Sequence, residues 1–333
     1  MIAYFLRFLS CLNFRRIYNL LKLETSYFIS RLTGNPKMAG LPWAISIEPT
    51  TSCNLSCPEC PSGLKKFTRP AGTMGIGAFR QIIDQLSPHL LYLTLYFQGE
   101  PMLNHHFFSM VDYAKKQRIM VATSTNGHFL DTENARKIVE SGLDRLIFSM
   151  DGMDQETYVK YRAGGNLEKV KQGIANVLNW KKKLGKVHPL VELQFLVLGT
   201  NEHQLPLVKD FAREMKVDKL SLKTAQLYDF GKDNPLHTSI PEYSRYRKTK
   251  DGAMIPKNSF PNRCHRMWHA PVITWDGKIV PCCFDKDADH ILGGLPGNSF
   301  AVIWESREYQ AFRNKIYSSR KEVNICRNCT EGL

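Results

Sequence analysis

Residues 53–60 read Cys53-Asn-Leu-Ser-Cys57-Pro-Glu-Cys60, and they directly follow residues 44–48, which alternate in hydrophobicity like a β-strand. Three cysteines in one short loop supply three thiolate ligands, and Pro58 discourages a regular helix, so this loop can wrap around a metal centre. A four-iron cluster held by three cysteines keeps one iron open for a small molecule. Zinc is the alternative, although structural zinc sites usually close all four positions with two paired cysteine groups.

Outward from this loop, the chain alternates between strands and helices. The hydrophobic patterns predict strands at 44–48, 91–97, 119–124, 145–150, 191–198 and 220–224, and helices at 79–86, 107–116, 132–141, 167–183 and 204–215. Six β/α repeats in series require a parallel sheet with helices outside it, either open or curved into a partial barrel. Ligands of such sheets gather at the carboxyl ends of the strands.

Four segments are predicted along the chain: an N-terminal helical segment at 1–40, a β/α core at 41–227, a connector at 228–262 and a small α+β domain at 263–333. The connector is rich in Gly, Pro, Asn, Ser and basic residues and has no sustained apolar period. After it, Asp276-Gly277 lies between two apolar runs and predicts a β-hairpin. A helix is predicted at 303–316.

Residues 1–35 are predicted to form a helix with an apolar stripe and with Arg15, Asn19 and Lys22 on another face. No run of about 20 apolar residues occurs there, which argues against a membrane span. We expect the stripe, which includes Cys11, to pack against its own domain. Peripheral membrane contact through residues 1–30 is the alternative, because an apolar face flanked by Arg and Lys suits an anionic surface.

The composition is that of a globular protein of 333 residues with a formal net charge of +14. This charge attracts anionic ligands, but without a zinc-finger or RNP motif a nucleic-acid partner is unlikely. Most of the nine cysteines lie in tight clusters, which indicates metal binding in a reducing, cytoplasmic compartment rather than disulfides. No basic n-region or cleavage site frames the apolar residues 1–14 as a secretory signal.

The Cys-x₃-Cys-x₂-Cys pattern after the first strand resembles the signature of the radical S-adenosylmethionine (SAM) superfamily. The resemblance implies a partial (β/α)6 TIM-like barrel over residues 42–225 and a SAM-binding [4Fe-4S] cluster on Cys53, Cys57 and Cys60. In that family, an electron from the cluster cleaves SAM to a 5′-deoxyadenosyl radical, which removes hydrogen from a substrate. A low-potential donor such as flavodoxin or ferredoxin supplies the electron.

Further landmarks resemble the family's SAM-binding residues. Gln98–Pro101 resembles the GGEP motif that contacts the SAM amino group, and Ser149 and Arg162 resemble its carboxylate-binding residues. The full set of implied cofactor-binding residues is Gly99, Glu100, Pro101, Asn126, Ser149, Asp151, Arg162, Leu198 and Asn201. Two departures stand out: Glu59 occupies a position that is often aromatic, and Gln98 replaces the first glycine of GGEP.

A second cysteine group lies at the C-terminus. Its arrangement resembles the auxiliary-cluster region of SPASM and twitch domains, and the small number of cysteines implies one auxiliary [4Fe-4S] cluster. The implied ligands are Cys264, Cys282, Cys326 and Cys329. A Cys₄ zinc site is the alternative, because spacing does not separate the two metals. Cys283 is not among the implied ligands; we expect it to be a packed thiol, with a redox or substrate-contacting role as the alternative. Asp285 and Lys286 nearby could serve acid–base steps.

The leading prediction is therefore an enzyme that generates a substrate radical and passes one more electron through the auxiliary cluster. Its substrate is unknown, and either oxidation of a small alcohol or sugar or modification of a peptide side chain fits. An acidic or phosphorylated substrate suits the basic chain. The rival class is a non-catalytic protein, either a zinc-stabilised binding module or an iron–sulfur electron carrier. Such a protein has no need of the SAM-binding landmarks.

Overall fold

The computed structural model describes residues 2–228, 230, 234–258 and 261–330. Its helices are α1 Ile2–Ser10, α2 Phe14–Thr33, α3 Pro61–Leu64, α4 Ile76–Leu86, α5 Phe107–Lys116, α6 Thr132–Glu140, α7 Gln155–Tyr161, α8 Leu167–Lys183, α9 Leu205–Glu214, α10 Arg266–His269, α11 Phe300–Trp304, α12 Arg307–Ser319 and α13 Asn324–Arg327. Its strands are β1 Ala44–Ile47, β2 Tyr92–Thr94, β3 Met120–Thr125, β4 Arg145–Ser149, β5 Leu190–Val197, β6 Lys219–Thr224, β7 Tyr246–Lys248, β8 Met254–Pro256, β9 Val272–Ile273, β10 Lys278–Val280 and β11 Gly293–Gly294.

The β/α alternation predicted for residues 44–224 is confirmed, with small differences at the element ends. Side-chain caps mark several helix starts, because the first turn of a helix leaves backbone N–H groups without partners. Asp131, Asp154 and Asn166 each accept a hydrogen bond from the N–H three residues later, at the starts of α6, α7 and α8.

Two long helices predicted from the sequence are each divided in two. Residues 1–35 form α1 and α2, because Asn13 is extended and its side chain caps the N–H of Arg16. The helix predicted at 303–316 is divided between α11 and α12, since Ser306 accepts from the N–H of Tyr309 and starts a new helix. In both places a local cap interrupts a continuous apolar pattern.

The chain forms two compact units, and each combines separate stretches of sequence. The first unit contains residues 1–51, 67–121 and 258–333, and the second contains residues 52–66 and 122–257. The chain passes from the first unit to the second within β3. Neither unit coincides with any of the four predicted segments, whose boundaries stay a prediction.

In the first unit, the C-terminal hairpin extends a sheet that begins near the N-terminus. Strand β1 pairs in parallel with β2 on one side and with β9 on the other, where Ser46 lies opposite Val272. The antiparallel pairs β9–β10 and β10–β11 complete the edge. The hairpin predicted at Asp276-Gly277 is confirmed, and Gly277 has a φ of +82° that favours glycine.

In the second unit, β3, β4, β5 and β6 form a parallel sheet in chain order. The predicted connector contains more structure than expected, because β7 and β8 form an antiparallel hairpin. Tyr246 of this hairpin is buried with Tyr161, Leu198 and Leu227 in one apolar cluster. The sequence predicts an irregular connector here because its few apolar residues follow neither a helical nor an alternating spacing.

Candidate active site

The loop that carries Cys53, Cys57 and Cys60 is folded tightly in the second unit. Cys57 is buried, whereas the other two thiols are partly exposed. The N–H of Cys60 donates to the carbonyl of Cys57 at 3.2 Å, and Cys60 immediately precedes α3. A Cβ on Gly63 would lie 2.6 Å from the backbone nitrogen of Cys57, so only glycine lets α3 pack this closely against the loop.

Two polar side chains point nitrogen atoms at these sulfurs. Arg162 Nη1 lies 3.9 Å from Cys57 Sγ, and Asn126 Nδ2 lies 3.9 Å from Cys53 Sγ and 2.7 Å from Asn54 Oδ1. Burial raises the pKa of the Cys57 thiol, whereas the Arg162 cation opposes that rise. Donors directed at sulfur favour the thiolate form, which is the form that binds metal. The donor set therefore fits an iron–sulfur cluster on three cysteines.

Arg162 is itself held by a buried carboxylate. Its Nε lies 2.5 Å from Asp151 Oδ2, and Asp151 also accepts the N–H of Leu196 at 2.7 Å. Burial alone would lower the pKa of Arg162, but Asp151 and Cys57 outweigh burial and raise it, so the guanidinium stays charged. Burial raises the pKa of Asp151, and Arg162 opposes that effect. Asp151 is thus positioned to orient Arg162.

Asn201 extends this network by bonding backbone groups near the carboxyl ends of β4 and β5. It is fully buried and donates to the carbonyls of Asp151 and Leu196, at 3.0 and 2.9 Å, while its Oδ1 accepts the N–H of Leu198 at 2.8 Å. The Leu198 side chain lies in the apolar cluster of Tyr246. The structure therefore brings Arg162, Asp151, Asn201 and Leu198 together through backbone and side-chain contacts.

Three features near the predicted site were not expected from the sequence: the positions of Ser124 and Tyr158 and the contact made by Glu59. The Ser149 hydroxyl lies 3.3 Å from that of Ser124 on the neighbouring strand β3. The Tyr158 hydroxyl is buried without a hydrogen-bond partner among the described residues, and burial raises its pKa. Glu59 accepts from the N–H of Tyr228 at 2.7 Å, so a carboxylate ties the loop to the chain after β6. For Ser124, its place near the carboxyl end of a strand was an available signal.

The Gln98–Pro101 motif belongs to the first unit. Gly99 has a φ of +71°, a left-handed conformation that glycine adopts without strain. Glu100 is buried, and its Oε1 accepts the N–H of Met102 at 3.3 Å at the start of the 3₁₀ turn Pro101–Leu103. The left-handed backbone therefore explains why a glycine stands at position 99, and the turn that follows uses one of the two carboxylate oxygens of Glu100.

The second cysteine group also lies in the first unit, where its thiols influence one another. Burial raises the pKa of Cys326 to about 12, and Cys264 and Cys329 add to this rise while Arg320 opposes it. Burial also raises the pKa of Cys282 well above its ordinary value, and the thiols of Cys283, Cys264 and Cys326 add to this rise. Arg320 is fully buried, and its Nη2 lies 3.5 Å from Cys329 Sγ.

The thiols of these four cysteines and of Cys283 form one electrostatic neighbourhood with a buried cation, which fits a cluster carrying negative charge. Within the part of the chain that the structure describes, no group of three His, Cys, Asp or Glu side chains is arranged so that it could hold a metal ion. The fit to a cluster therefore rests on the donor set and its surroundings.

The two speculative catalytic residues have other contacts. Arg266 Nη1 donates to Cys283 Sγ at 3.3 Å. Asp285 is fully buried and accepts the N–H groups of Asp289 and His290, at 2.8 and 3.0 Å, and burial raises its pKa. The backbone carbonyl of Lys286 accepts from Arg69 at 3.1 Å. The roles predicted for Cys283 and Asp285 stay predictions.

A largely parallel α/β fold with three thiols in the loop after its first strand, and with five more near the C-terminus, is typical of iron–sulfur enzymes built on a β/α sheet. Comparison with known proteins identifies the family. Residues 47–186 match the radical SAM superfamily, and residues 264–330 match SPASM, an iron–sulfur cluster-binding domain. The chain belongs to the radical SAM superfamily.

Similar proteins of known name extend over most of the chain. An AdoMet-dependent heme synthase of Methanosarcina barkeri is 30% identical over 299 residues, which cover 81% of this chain and 84% of the relative. The tungsten-containing aldehyde ferredoxin oxidoreductase cofactor-modifying protein of Pyrococcus furiosus is 26% identical over 317 residues, covering 85% and 87% of the two chains.

Solved structures share the fold at lower identity. SuiB of Streptococcus suis bound to S-adenosylmethionine aligns with a TM-score of 0.65 and 14% identity over 92% of this chain and 76% of that chain. Native anSMEcpe with bound AdoMet and Cp18Cys peptide aligns with a TM-score of 0.61 and 17% identity over 88% and 89%. BtrN in complex with AdoMet and 2-DOIA has a TM-score of 0.53 and 18% identity over 88% and 95%.

The predicted fold class is confirmed, and so is the prediction of a radical SAM enzyme with a SPASM-type domain. Its cofactors are SAM, a SAM-binding [4Fe-4S] cluster and an auxiliary iron–sulfur cluster. As to membrane segments, the described residues contain no helix long and apolar enough to span a bilayer.

Proposed function

We propose that Cys53, Cys57 and Cys60 hold the SAM-binding cluster and that Arg162 is the charged side chain beside it. The observation that carries this proposal is the position of Arg162 between the Asp151 carboxylate and the Cys57 sulfur. When bound, the cluster and SAM supply the 5′-deoxyadenosyl radical that removes hydrogen from the substrate. Arg162 provides a fixed positive charge for a carboxylate or for cluster thiolates, and Asp151 holds its orientation.

Other residues have supporting roles in this proposal. Ser149 assists Arg162 with the SAM carboxylate, and Asn126 directs its amide to the cluster loop. Asn201 and Leu198 shape the adenine side, where Asn201 acts through the backbone of the β4 and β5 ends. The remaining proposed cofactor-binding residues, for the SAM amino group, are Gly99, Glu100 and Pro101.

For the second site, we propose one cluster held by Cys264, Cys282, Cys326 and Cys329. With all four positions filled by thiolates, this cluster has no open iron and suits electron transfer rather than substrate ligation. Cys283 is not a ligand in this proposal, and its contact with Arg266 supports a packing role.

The proposed substrate is a small molecule that carries negative charge. The two relatives reported above are named for heme synthesis and cofactor modification, and a chain of net charge +14 attracts anions. The proposed electron donor is a low-potential flavodoxin or ferredoxin. The clustered thiols suit a cytoplasmic location. We also propose that residues 1–30 contact a membrane surface peripherally.

The decisive experiment is anaerobic reconstitution with iron and sulfide, followed by SAM, a strong reductant and measurement of 5′-deoxyadenosine. We expect production by the native chain and none by Cys57→Ala, with iron falling from roughly eight to roughly four atoms per chain. Cys326→Ala loses the other cluster but retains cleavage of SAM. Cys283→Ser is the matched control and retains all its iron. Full 5′-deoxyadenosine production by Cys57→Ala would refute the assignment.

Arg162→Lys tests the charged side chain separately from the cluster. Lysine keeps the positive charge but cannot bind Asp151 and a second anion through a planar fork. We expect full iron content with at least about a tenfold weaker apparent affinity for SAM, which corresponds to about 1.4 kcal/mol. An unchanged SAM affinity would remove Arg162 from the proposed binding role.

A further inference from the structure

Helix α2 packs with its polar side against the first unit and its apolar side outward. Its buried residues are Arg16, Asn19, Leu23, Ser26 and Ser30, of which only Leu23 is apolar. This is the reverse of an ordinary surface helix, which buries its apolar stripe. The expectation that the stripe of residues 1–35 packs against its own domain is therefore met only in part in α2: Leu20 and Leu23 pack inward, whereas Ile17 and Leu21 are exposed.

The inward polar side is fixed by backbone hydrogen bonds. Arg16 donates to four carbonyls, two of which belong to Ser87 and Gln117, the C-caps of α4 and α5, each at 2.8 Å. Cations at helix C-termini are favourable, because the last carbonyls of a helix carry partial negative charge. Asn19 bonds both the N–H and the carbonyl of Leu41 at 2.8 Å. These contacts determine which side of α2 faces inward.

The outward side concentrates apolar surface. Sixteen large apolar side chains are exposed among the described residues, and ten of them lie between residues 5 and 32. They are Phe5, Leu6, Leu9, Phe14, Ile17, Tyr18, Leu21, Phe28, Ile29 and Leu32. We call these ten residues the apolar face of α1–α2. Phe14 is 85% exposed, and leaving so much apolar surface in water is unfavourable unless something covers it.

The charges around the apolar face are of one sign. Arg15, Lys22 and Arg31 are exposed on α2, and Lys37 is exposed just after it. Between residues 4 and 41 the only acidic residue is Glu24, whose carboxylate accepts from Trp43 Nε1 and contacts His265 Nε2. Apolar side chains flanked by exposed cations match a bilayer of anionic lipids, where the rings enter the headgroup region and the cations meet phosphates.

The same charges argue against a second copy of this chain as the occupant. Two copies docked through this face would bring like-charged rims together, and each chain has a net charge of +14. We propose that the apolar face of α1–α2 docks on the surface of a membrane containing anionic phospholipids, with both helices lying in the plane of the interface. This deepens the membrane contact in the proposed function and is independent of the radical chemistry.

The test is co-sedimentation of the full-length, cluster-loaded protein with vesicles. One set is phosphatidylcholine alone, and the other is an equal mixture of phosphatidylcholine and phosphatidylglycerol. We expect binding to the mixed vesicles and much weaker binding to the neutral ones. The triple variant Phe14→Gln, Leu21→Gln and Phe28→Gln should bind about a hundredfold more weakly, because three side chains no longer leave water. Arg15→Gln with Lys22→Gln should reduce binding about thirtyfold.

A control replaces three exposed apolar side chains elsewhere with the same residue type: Val187→Gln, Leu207→Gln and Val302→Gln, at positions 65%, 53% and 66% exposed. This control should bind mixed vesicles like the native chain, and all variants should keep the native melting temperature and 5′-deoxyadenosine production. Equal binding by the native chain and the Phe14 triple variant would overturn the proposal. A concentration-dependent dimer that only the Phe14 triple variant abolishes, without vesicle binding, would also overturn it in favour of a second copy.

Discussion

Arg69 and Glu48 form a buried, two-pronged ion pair within the first unit. Arg69 Nη1 and Nη2 lie 2.8 and 2.6 Å from the two carboxylate oxygens of Glu48, and the side chains are 5% and 0% exposed. Glu48 also accepts the N–H of Trp275 at 3.2 Å. The pair therefore joins the end of β1 to the loop at 67–72 and to the turn of the C-terminal hairpin.

Replacing Arg69 with methionine should destabilise the first unit by about 3–5 kcal/mol, because Glu48 would remain buried as an uncompensated charge. Adding Glu48→Leu should recover much of that loss, since the unpaired charge is then removed. Urea unfolding measures both changes. Arg136→Met is the control: its pair with Glu140 is exposed, and its loss should cost less than about 1 kcal/mol. Equal losses of stability in Arg69→Met and Arg136→Met would contradict the prediction that the buried ion pair matters more than the exposed one.

Gly72 and Gly77 should respond in opposite directions to alanine. A Cβ on Gly72 would lie 2.4 Å from the ring of Trp275, so Gly72→Ala should cost about 1–3 kcal/mol through overpacking. Gly77 lies within α4 with nothing within 4 Å of its Cβ position, and Gly77→Ala should stabilise by about 0.5–1 kcal/mol. Thermal unfolding of the two variants checks the difference, and a loss of stability in both would count against it.

Arg320 should set the reduction potential of the auxiliary cluster. Its buried guanidinium lies 3.5 Å from Cys329 Sγ, and a nearby cation favours the more negative, reduced cluster. Arg320→Gln should therefore lower the potential on the order of 50 mV. An anaerobic redox titration followed by electron paramagnetic resonance measures the shift.

The SAM-binding cluster provides an internal control for that titration, because its potential should stay constant in Arg320→Gln. Iron content should also match that of the native chain. If the auxiliary potential were unchanged while iron was retained, Arg320 would have only a structural role.

His269 should make the protein less stable in acid. Its ring stacks on Trp43 with centroids 4.9 Å apart, and burial, aided by His265 and Arg266, lowers its pKa to about 4. The unfolded chain takes up this proton near pH 6.5, before the folded chain does. The stabilising contribution is therefore complete above about pH 6.5 and declines as the pH falls toward 4, by at most about 3 kcal/mol.

The measurement for His269 compares urea unfolding of the native chain and His269→Phe at about pH 7.5 and about pH 5. Phenylalanine preserves a ring against Trp43 and cannot be protonated. The native chain should lose more stability between the two pH values than the variant. A parallel loss in both proteins would assign the acid sensitivity to other groups.

Much of this protein is determined by local sequence. The helices at 107–116 and 167–183 have the predicted bounds, because apolar spacing and cap residues act within a few positions of each other. The hairpin at Asp276-Gly277 is equally local. The caps Asn13 and Ser306 were readable in the same way, but continuous apolar patterns outweighed them in the prediction.

Tertiary structure alone decided how distant segments meet. A hydrophobic period locates the stripe on residues 14–32 but does not say whether it faces inward. Three of the four carbonyls that hold Arg16 are supplied by residues 87, 117 and 118, far along the chain. Likewise, nothing local predicts that Val272 lies opposite Ser46 or that Arg69 meets Glu48. Backbone acceptors are the same at every residue, so only the folded arrangement selects which of them a side chain reaches.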